Sequence, residues 1–325
     1  MVTARAFSAT LVVGMLSSVL SGQQWTDPSP HTRSFVGIGD GLALEVLDWG
    51  GSGPPLILLA GLGNTAHVFD TFAVRFNDRF HVLGITRRGY GASGHPESGY
   101  DIATLARDID VVCDRLNLDR VVLVGHSLAG DELTKFAVTY PTRVSALVYL
   151  DAAHDRTTLP AAGNLPQQRP QPGDLRSLDD FRNYFARMIG ARTPEAETRA
   201  TLIVDGGGRV LRGGAQTGAQ QAVLAGLEHP AYNEVRAPAL AIYPPVEIRN
   251  LFPNYDSFDA ENKERADRAV PELKTYQDTN AALFLRDVEH ARIVRLQSGS
   301  HYIFLTNEAE VVGLIRDFLA QVLPS

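Results

Sequence analysis

Short apolar runs, several of them rich in β-branched residues, recur along the chain. They are Leu56 to Ala60, Phe80 to Ile85, Val121 to Val124, Ala146 to Leu150 and Pro238 to Tyr243. Runs of this length and composition read as strands buried on both faces. Ala291 to Leu296 reads as a last strand. Ahead of them, Arg33 to Ile38 and Leu42 to Trp49 flank Asp40-Gly41, a strong hairpin turn. The intervening stretches carry helical spacing. Asp101 caps a helix whose apolar positions are Ile102, Leu105, Ala106, Ile109, Val112, Cys113 and Leu116. Helices are also predicted over Phe69 to Phe76, Leu128 to Tyr140 and the charged stretch Ala260 to Glu289. A final helix begins at a capping-box-like Asn307…Glu310 and buries Val311, Ile315, Phe318, Leu319 and Val322 on one face. Such alternation predicts an α/β fold, a mostly parallel sheet covered by helices on both faces.

From Pro160 to about Tyr232 the alternation stops. Prolines 160, 166, 170 and 172 crowd the start. Gly206, Gly207, Gly208, Gly213, Gly214 and Gly218 read as a loose stretch. Residues 160–232 are therefore expected to form a cap inserted into a core of residues 33–159 and 233–325. Phe181, Tyr184 and Leu211 are its candidates for lining an apolar pocket.

The N-terminus changes the picture of where the protein works. Arg5 precedes a short apolar run, Ala6 to Leu20, and the small residues Ser21 and Gly22 close it. That order describes a secretory signal peptide over residues 1–22, with export after cleavage. The run is short for a membrane span, so no stable membrane insertion is expected. Trp25 to Thr32 forms a proline-bearing lead-in. The formal net charge of −7 makes no case for nucleic acid. Cys113 is the single cysteine, so no intramolecular disulfide can form, and its place on an apolar helix face reads as core. No paired-cysteine or His-Glu-x-x-His motif marks a metal site.

The chemistry centres on Gly125-His126-Ser127-Leu128-Ala129-Gly130, where a buried strand turns sharply into a helix. A serine there sits on strained backbone with Oγ exposed, and the Leu128 N–H points at the same spot. The plainer use of such a serine is as an N-cap. The small residues on both sides favour a tight elbow and a nucleophile. The segment resembles the α/β-hydrolase family, whose pattern is G-x-S-x-G; here Ala129 stands at the second glycine. The resemblance covers about Arg33 to Asp155 and Arg236 to Leu323, and it implies the family's eight-stranded sheet.

It also implies roles for other residues. His301, in the loop between the last strand and last helix, stands where the family places its catalytic base. Ala60-Gly61-Leu62-Gly63 stands where the family often has His-Gly-x-x-Gly, which makes the Leu62 N–H the second oxyanion donor beside that of Leu128. Most members carry the triad acid after the strand equivalent to Pro238 to Tyr243. Glu247 is the candidate there, with Asp256 and Asp259 further on. Some members carry it at the end of the strand after the nucleophile helix, which is Asp151. A carboxylate at that strand tip faces the same crevice as Ser127; its plainer use is to cap a loop. His67, His154 and His229 read as loop histidines, and Arg87 and Arg88 as a structural basic pair.

A serine nucleophile implies acyl transfer to water, with carboxylic esters or lactones as the small-molecule substrates and no cofactor. Two other classes stay open. One is a non-catalytic binding protein on the same fold. The other is an NADP-dependent oxidoreductase, because Gly61-x-Gly63-x-x-Ala66 looks like a dinucleotide fingerprint and Arg87-Arg88 could meet a 2′-phosphate.

Overall fold

A computed structural model describes residues 25–160, 165–213 and 216–323. The expected signal peptide lies outside the described residues. In chain order the strands are β1 (Thr32–Gly39), β2 (Leu42–Gly50), β3 (Pro55–Leu59), β4 (His81–Ile85), β5 (Val121–His126), β6 (Val144–Leu150), β7 (Leu202–Val204), β8 (Val210–Gly213), β9 (Ala239–Tyr243) and β10 (Ala291–Arg295). Eight of them form one sheet in the order β1-β2-β4-β3-β5-β6-β9-β10. The β1–β2 and β2–β4 pairs are antiparallel, and the rest of that sheet is parallel. This is the mostly parallel α/β sheet that the elements predicted, with the eight strands that the resemblance implied. Asp40 (φ +50°) and Gly41 (φ +71°) both take positive φ at the β1–β2 turn, the backbone that a tight hairpin of this twist requires.

The central strands are apolar throughout because both of their faces are covered. Ile57, Leu59, Leu123 and Leu147 face the helices Ile102–Arg115 and Ala129–Thr139 through Ile109, Val112, Leu133 and Phe136. Leu56, Leu58, Val122 and Val148 face the other layer, where Phe69, Phe72, Phe304, Ile315 and Phe318 pack. Alternate residues of one strand thus serve two separate layers, as period-two geometry dictates. Cys113 is buried in the first layer, and burial pushes its thiol up to about 12.

Three local expectations fail. Phe69 to Phe76 is not a helix; a 3₁₀ turn (Ala66–Phe69) runs into a single α turn (Asp70–Ala73). Phe69, Phe72 and Phe76 are all fully buried, so packing against the sheet decides the path rather than helix propensity. Asn307 does not cap the last helix with its side chain. Its carboxamide instead meets Thr306 Oγ1 (3.0 Å), Ser298 Oγ (3.3 Å) and Glu310 Oε2 (3.2 Å), because the turn Ile303–Thr306 runs straight into the helix. The glycine-rich stretch is not loose either. It holds the β7–β8 hairpin, turned at Gly208 (φ +83°), and leads into the helix Gln216–Ala225.

Among the described residues no helix is long and apolar enough to cross a membrane. The longest, Ala260–Asp287, is capped by Asp259, whose carboxylate accepts from the Asn262 N–H at 2.8 Å.

Candidate active site

The register of the parallel strands brings their carboxyl ends together: Leu59 pairs with Gly125, His126 with Leu150, and Leu150 with Ile242. The loops after β3, β5, β6, β9 and β10 therefore open on one crevice, the place where open α/β sheets bind ligands. Ser127, Asp151 and His301 come from three of these loops and line a single cavity of about 320 Å³.

Ser127 sits at φ +52°, a left-handed conformation that costs an L residue energy. Neighbouring contacts hold it there. The Ser127 N–H donates to the Leu150 carbonyl (3.2 Å), and the Ser127 carbonyl accepts from the Gly130 N–H (3.0 Å) and from the Arg156 guanidinium. The elbow needs its small residues. A Cβ on Gly130 would overlap the Ala152 carbonyl oxygen, and one on Gly61 would come within 3.0 Å of Ser127 Cβ. Ala129 at the second glycine position has room to be buried beside Gly125.

Asp151 also takes positive φ (+46°), and its N–H is tied to the Ile242 carbonyl at 2.8 Å. Its carboxylate lies between two histidines. Oδ2 is 2.6 Å from His301 Nδ1, and Oδ1 is 3.1 Å from His154 Nε2. Burial opposes its charge, but the hydrogen bonds from His154 and His301 outweigh it and hold the carboxyl well below its usual range. His154 is itself kept neutral by burial, against the pull of Asp151. His154 is thus no free loop histidine; it stacks on Tyr276 at 5.2 Å and lines the cavity. Glu247 is exposed, beside the short helix Ile248–Leu251, and has no part in the cluster. Asp256 pairs with Arg249, and Asp259 caps a helix. Of the candidate acids, the structure brings only Asp151 to His301.

His126, next to Ser127, is buried, and burial and the neighbouring His301 hold its pKa well below the ordinary value. As the neutral ring it donates from Nε2 to the His301 carbonyl at 3.0 Å, which fixes the loop that carries His301. Among the described residues no hydrogen bond joins Ser127 Oγ to His301; such contacts commonly tighten only when substrate is bound.

Among the described residues neither the Leu62 nor the Leu128 N–H has an acceptor in the protein. Their side chains pack in a separate apolar cluster with Ile102, Leu105, Ala219 and Val223. Arg87 secures the Leu62 loop. Its guanidinium donates to the Ala60 carbonyl (2.7 Å) and pairs with Glu132 on the helix Ala129–Thr139. Arg88 is bidentate to Asp108 at 2.6 and 2.5 Å. Both arginines are buried and committed, so neither is available to a dinucleotide phosphate. The glycine turn itself leads into a 3₁₀ turn and not the helix that a dinucleotide site needs.

Glu197 is a residue that the sequence does not disclose. It lies on the helix Glu195–Thr201 and reaches back to the loop after β3, where its carboxylate accepts from Asn64 Nδ2 (2.9 Å), the Thr65 N–H (3.2 Å) and Thr65 Oγ1. Asn64 Oδ1 in turn accepts from the Tyr302 hydroxyl at 3.1 Å, beside His301. The partners of Glu197 lie more than a hundred residues away in sequence, so no local pattern marks it.

The cavity walls correct another expectation. Phe181 packs with Tyr184 and Phe185, and Leu211 is exposed; none of Phe181, Tyr184 and Leu211 lines the cavity. Its apolar wall is Leu159, Leu165, Pro245, Val246, Leu251 and Leu273. Most of these come from the excursion between β9 and the middle of the long helix, not from the segment between β6 and β9.

A model of the alpha/beta hydrolase fold family matches residues 54–209. The 2-(acetamidomethylene)succinate hydrolase of Mesorhizobium japonicum is 30% identical over 203 residues, 59% of this chain and 70% of that protein. The crystal structure of E-2-(acetamidomethylene)succinate hydrolase superposes with a TM-score of 0.62 at 21% identity, over 89% of this chain and 99% of that one. Est816, described as an N-acyl homoserine lactone degrading enzyme, shares the fold with a TM-score of 0.59 at 19% identity, over 88% of this chain and 100% of its own. The chain belongs to the alpha/beta hydrolase fold family, and it is a hydrolase.

Proposed function

We propose that this hydrolase cleaves carboxylic esters or lactones through a serine acyl-enzyme. The observation that carries the reading is the 2.6 Å contact between Asp151 Oδ2 and His301 Nδ1, in the cavity that Ser127 lines from its strained elbow. In this mechanism Ser127 Oγ attacks the acyl carbon while His301 Nε2 takes its proton. Asp151 keeps the Nδ1–H tautomer and stabilises the imidazolium. The Leu62 and Leu128 N–H groups receive the oxyanion. The alcohol leaves with the proton from His301. Water then attacks the acyl-serine, again through His301, and the acid departs.

The cavity supports a neutral, largely apolar substrate. Arg156 is the guanidinium at its wall, and its two terminal nitrogens donate to Asp131 (2.6 Å), the Ser127 carbonyl and the Ala152 carbonyl (3.3 Å). The succinate named in the relative's activity would need a free cation there, so that substrate is not carried over to this chain.

A fluorophosphonate probe tests the reading. It should label Ser127 stoichiometrically, as mapped by mass spectrometry, and Ser127→Ala should abolish both labelling and turnover of an ester and lactone panel. A label on another serine, or full turnover by the alanine variant, would reject it.

A further inference from the structure

We propose that Asp27, His31, His67 and Asp70 form a binding site for one divalent transition-metal ion, with zinc as the best fit. One ligand atom from each of the four can be chosen so that all lie within 4.8 Å of one another. The edges are short: His67 Nδ1 is 3.4 Å from Asp70 Oδ2 and 3.6 Å from Asp27 Oδ2, and His31 Nε2 is 3.6 Å from Asp27 Oδ2. Bonds of 2.0–2.1 Å to a tetrahedral zinc place its ligands about 3.3 Å apart. Three of the six edges are already close to that value, and the remaining ones, at up to 4.8 Å, would close around the ion.

Unmet bonding inside the cluster argues independently. His67 and Asp70 are 5% and 4% exposed, yet His67 Nδ1 and Asp70 Oδ2 have no hydrogen-bond partner. A buried imidazole nitrogen and carboxylate oxygen in that state are costly. A shared cation satisfies both. The backing groups suit it as well. His31 Nδ1 lies 2.9 Å from Asp70 Oδ1, and His67 Nε2 lies 3.6 Å from Glu45 Oε1, so each ring nitrogen away from the ion faces a carboxylate. Metal-bound histidines are oriented in this way.

Charge gives the valence. Asp27, Glu45 and Asp70 bring three carboxylates; Arg33 lies 3.8 Å from Glu45, and Arg199, which lines the same cavity, pairs with Glu195. A divalent ion neutralises the remainder. Two protonated histidines would supply the same charge, with the Asp70 and Asp27 carboxylates 3.4 and 3.6 Å from His67 Nδ1, and the zinc titration below separates the two cases. Two imidazoles exclude calcium and magnesium, which take oxygen ligands, and favour zinc and its neighbours. A cavity lined by Trp25, Asp27, His31, His67 and Arg199 gives the ion an entry path. The bound ion would staple the segment before β1 to the turn that follows the oxyanion loop.

The test is calorimetric titration of zinc into chelator-treated, untagged full-length protein, with thermal melts alongside. One zinc per chain with Kd of about 1 µM or tighter is expected, with a higher Tm. Asp27→Asn combined with His31→Gln should weaken binding by ~100-fold while Ser127 labelling persists. Asp27→Asn alone, at a partly exposed side chain, should already weaken it by ~10-fold. A variant lacking the exposed imidazoles of His95, His229 and His290 should bind as wild type does. Absence of saturable binding at about 100 µM zinc, unchanged affinity in either Asp27 variant, loss of binding in the surface-histidine variant, or equal affinity for calcium would overturn the proposal.

Discussion

Asp151 carries the sharpest consequence of a single residue. It accepts from His301 and His154 at once, whereas Glu247 is exposed and away from both. Asp151→Asn should therefore lower kcat by ~10³–10⁴-fold, through loss of the correct imidazole tautomer. Glu247→Gln should stay near wild type in the same ester assay. Glu197 makes a different kind of statement. Burial pushes its carboxyl up to about 7, against the hydrogen bonds from Thr65 and Asn64. The folded protein thus keeps a proton that the unfolded chain loses near pH 4.3. Stability should fall as pH rises from about 4 to about 7, by up to ~1.4 kcal/mol per unit, and level off above. Denaturant midpoints at about pH 5 and about pH 7.5 check this, because Glu197→Gln should flatten that part of the profile. Ser127 was legible because everything that defines it is within a few residues. Glu197 and His154 were not, since their roles depend on partners that only folding supplies.

At the scale of elements, the turn from β5 into the helix Ala129–Thr139 is held by close backbone contact. Gly130 abuts the Ala152 carbonyl while its own N–H binds the Ser127 carbonyl at 3.0 Å, so the helix cannot back away from an added methyl. Gly130→Ala should cost ~1–3 kcal/mol and depress turnover. Ala129→Gly, which restores the family's second glycine, should cost only ~0.5–1 kcal/mol of helix stability. Thermal melts and kcat on one ester separate the two. The strands themselves were readable from composition because each central strand is apolar on both faces. The Phe69 to Phe76 segment misled for a related reason. Its aromatic spacing reports burial, and burial alone does not select an α-helix over a 3₁₀ turn followed by one α turn.

At the scale of the molecule, much of the cavity wall belongs to chain that the sequence pattern did not single out. Leu251 and Leu273 line the cavity, and Phe181 and Tyr184 do not. Leu273→Trp should shift the ester preference toward short acyl chains, read as the ratio of kcat/KM for short and long p-nitrophenyl esters. Phe181→Ala should leave that ratio unchanged. The sheet, the elbow at Ser127 and the candidacy of His301 were determined by sequence alone, because period, turn chemistry and chain order are local or sequential properties. Which carboxylate meets His301, what lines the cavity and where four metal-ligand side chains converge were decided only by tertiary structure. Asp151 joins His301 across 150 residues because β6 lies between β5 and β9, and strand order is a global outcome of packing that no window of sequence contains.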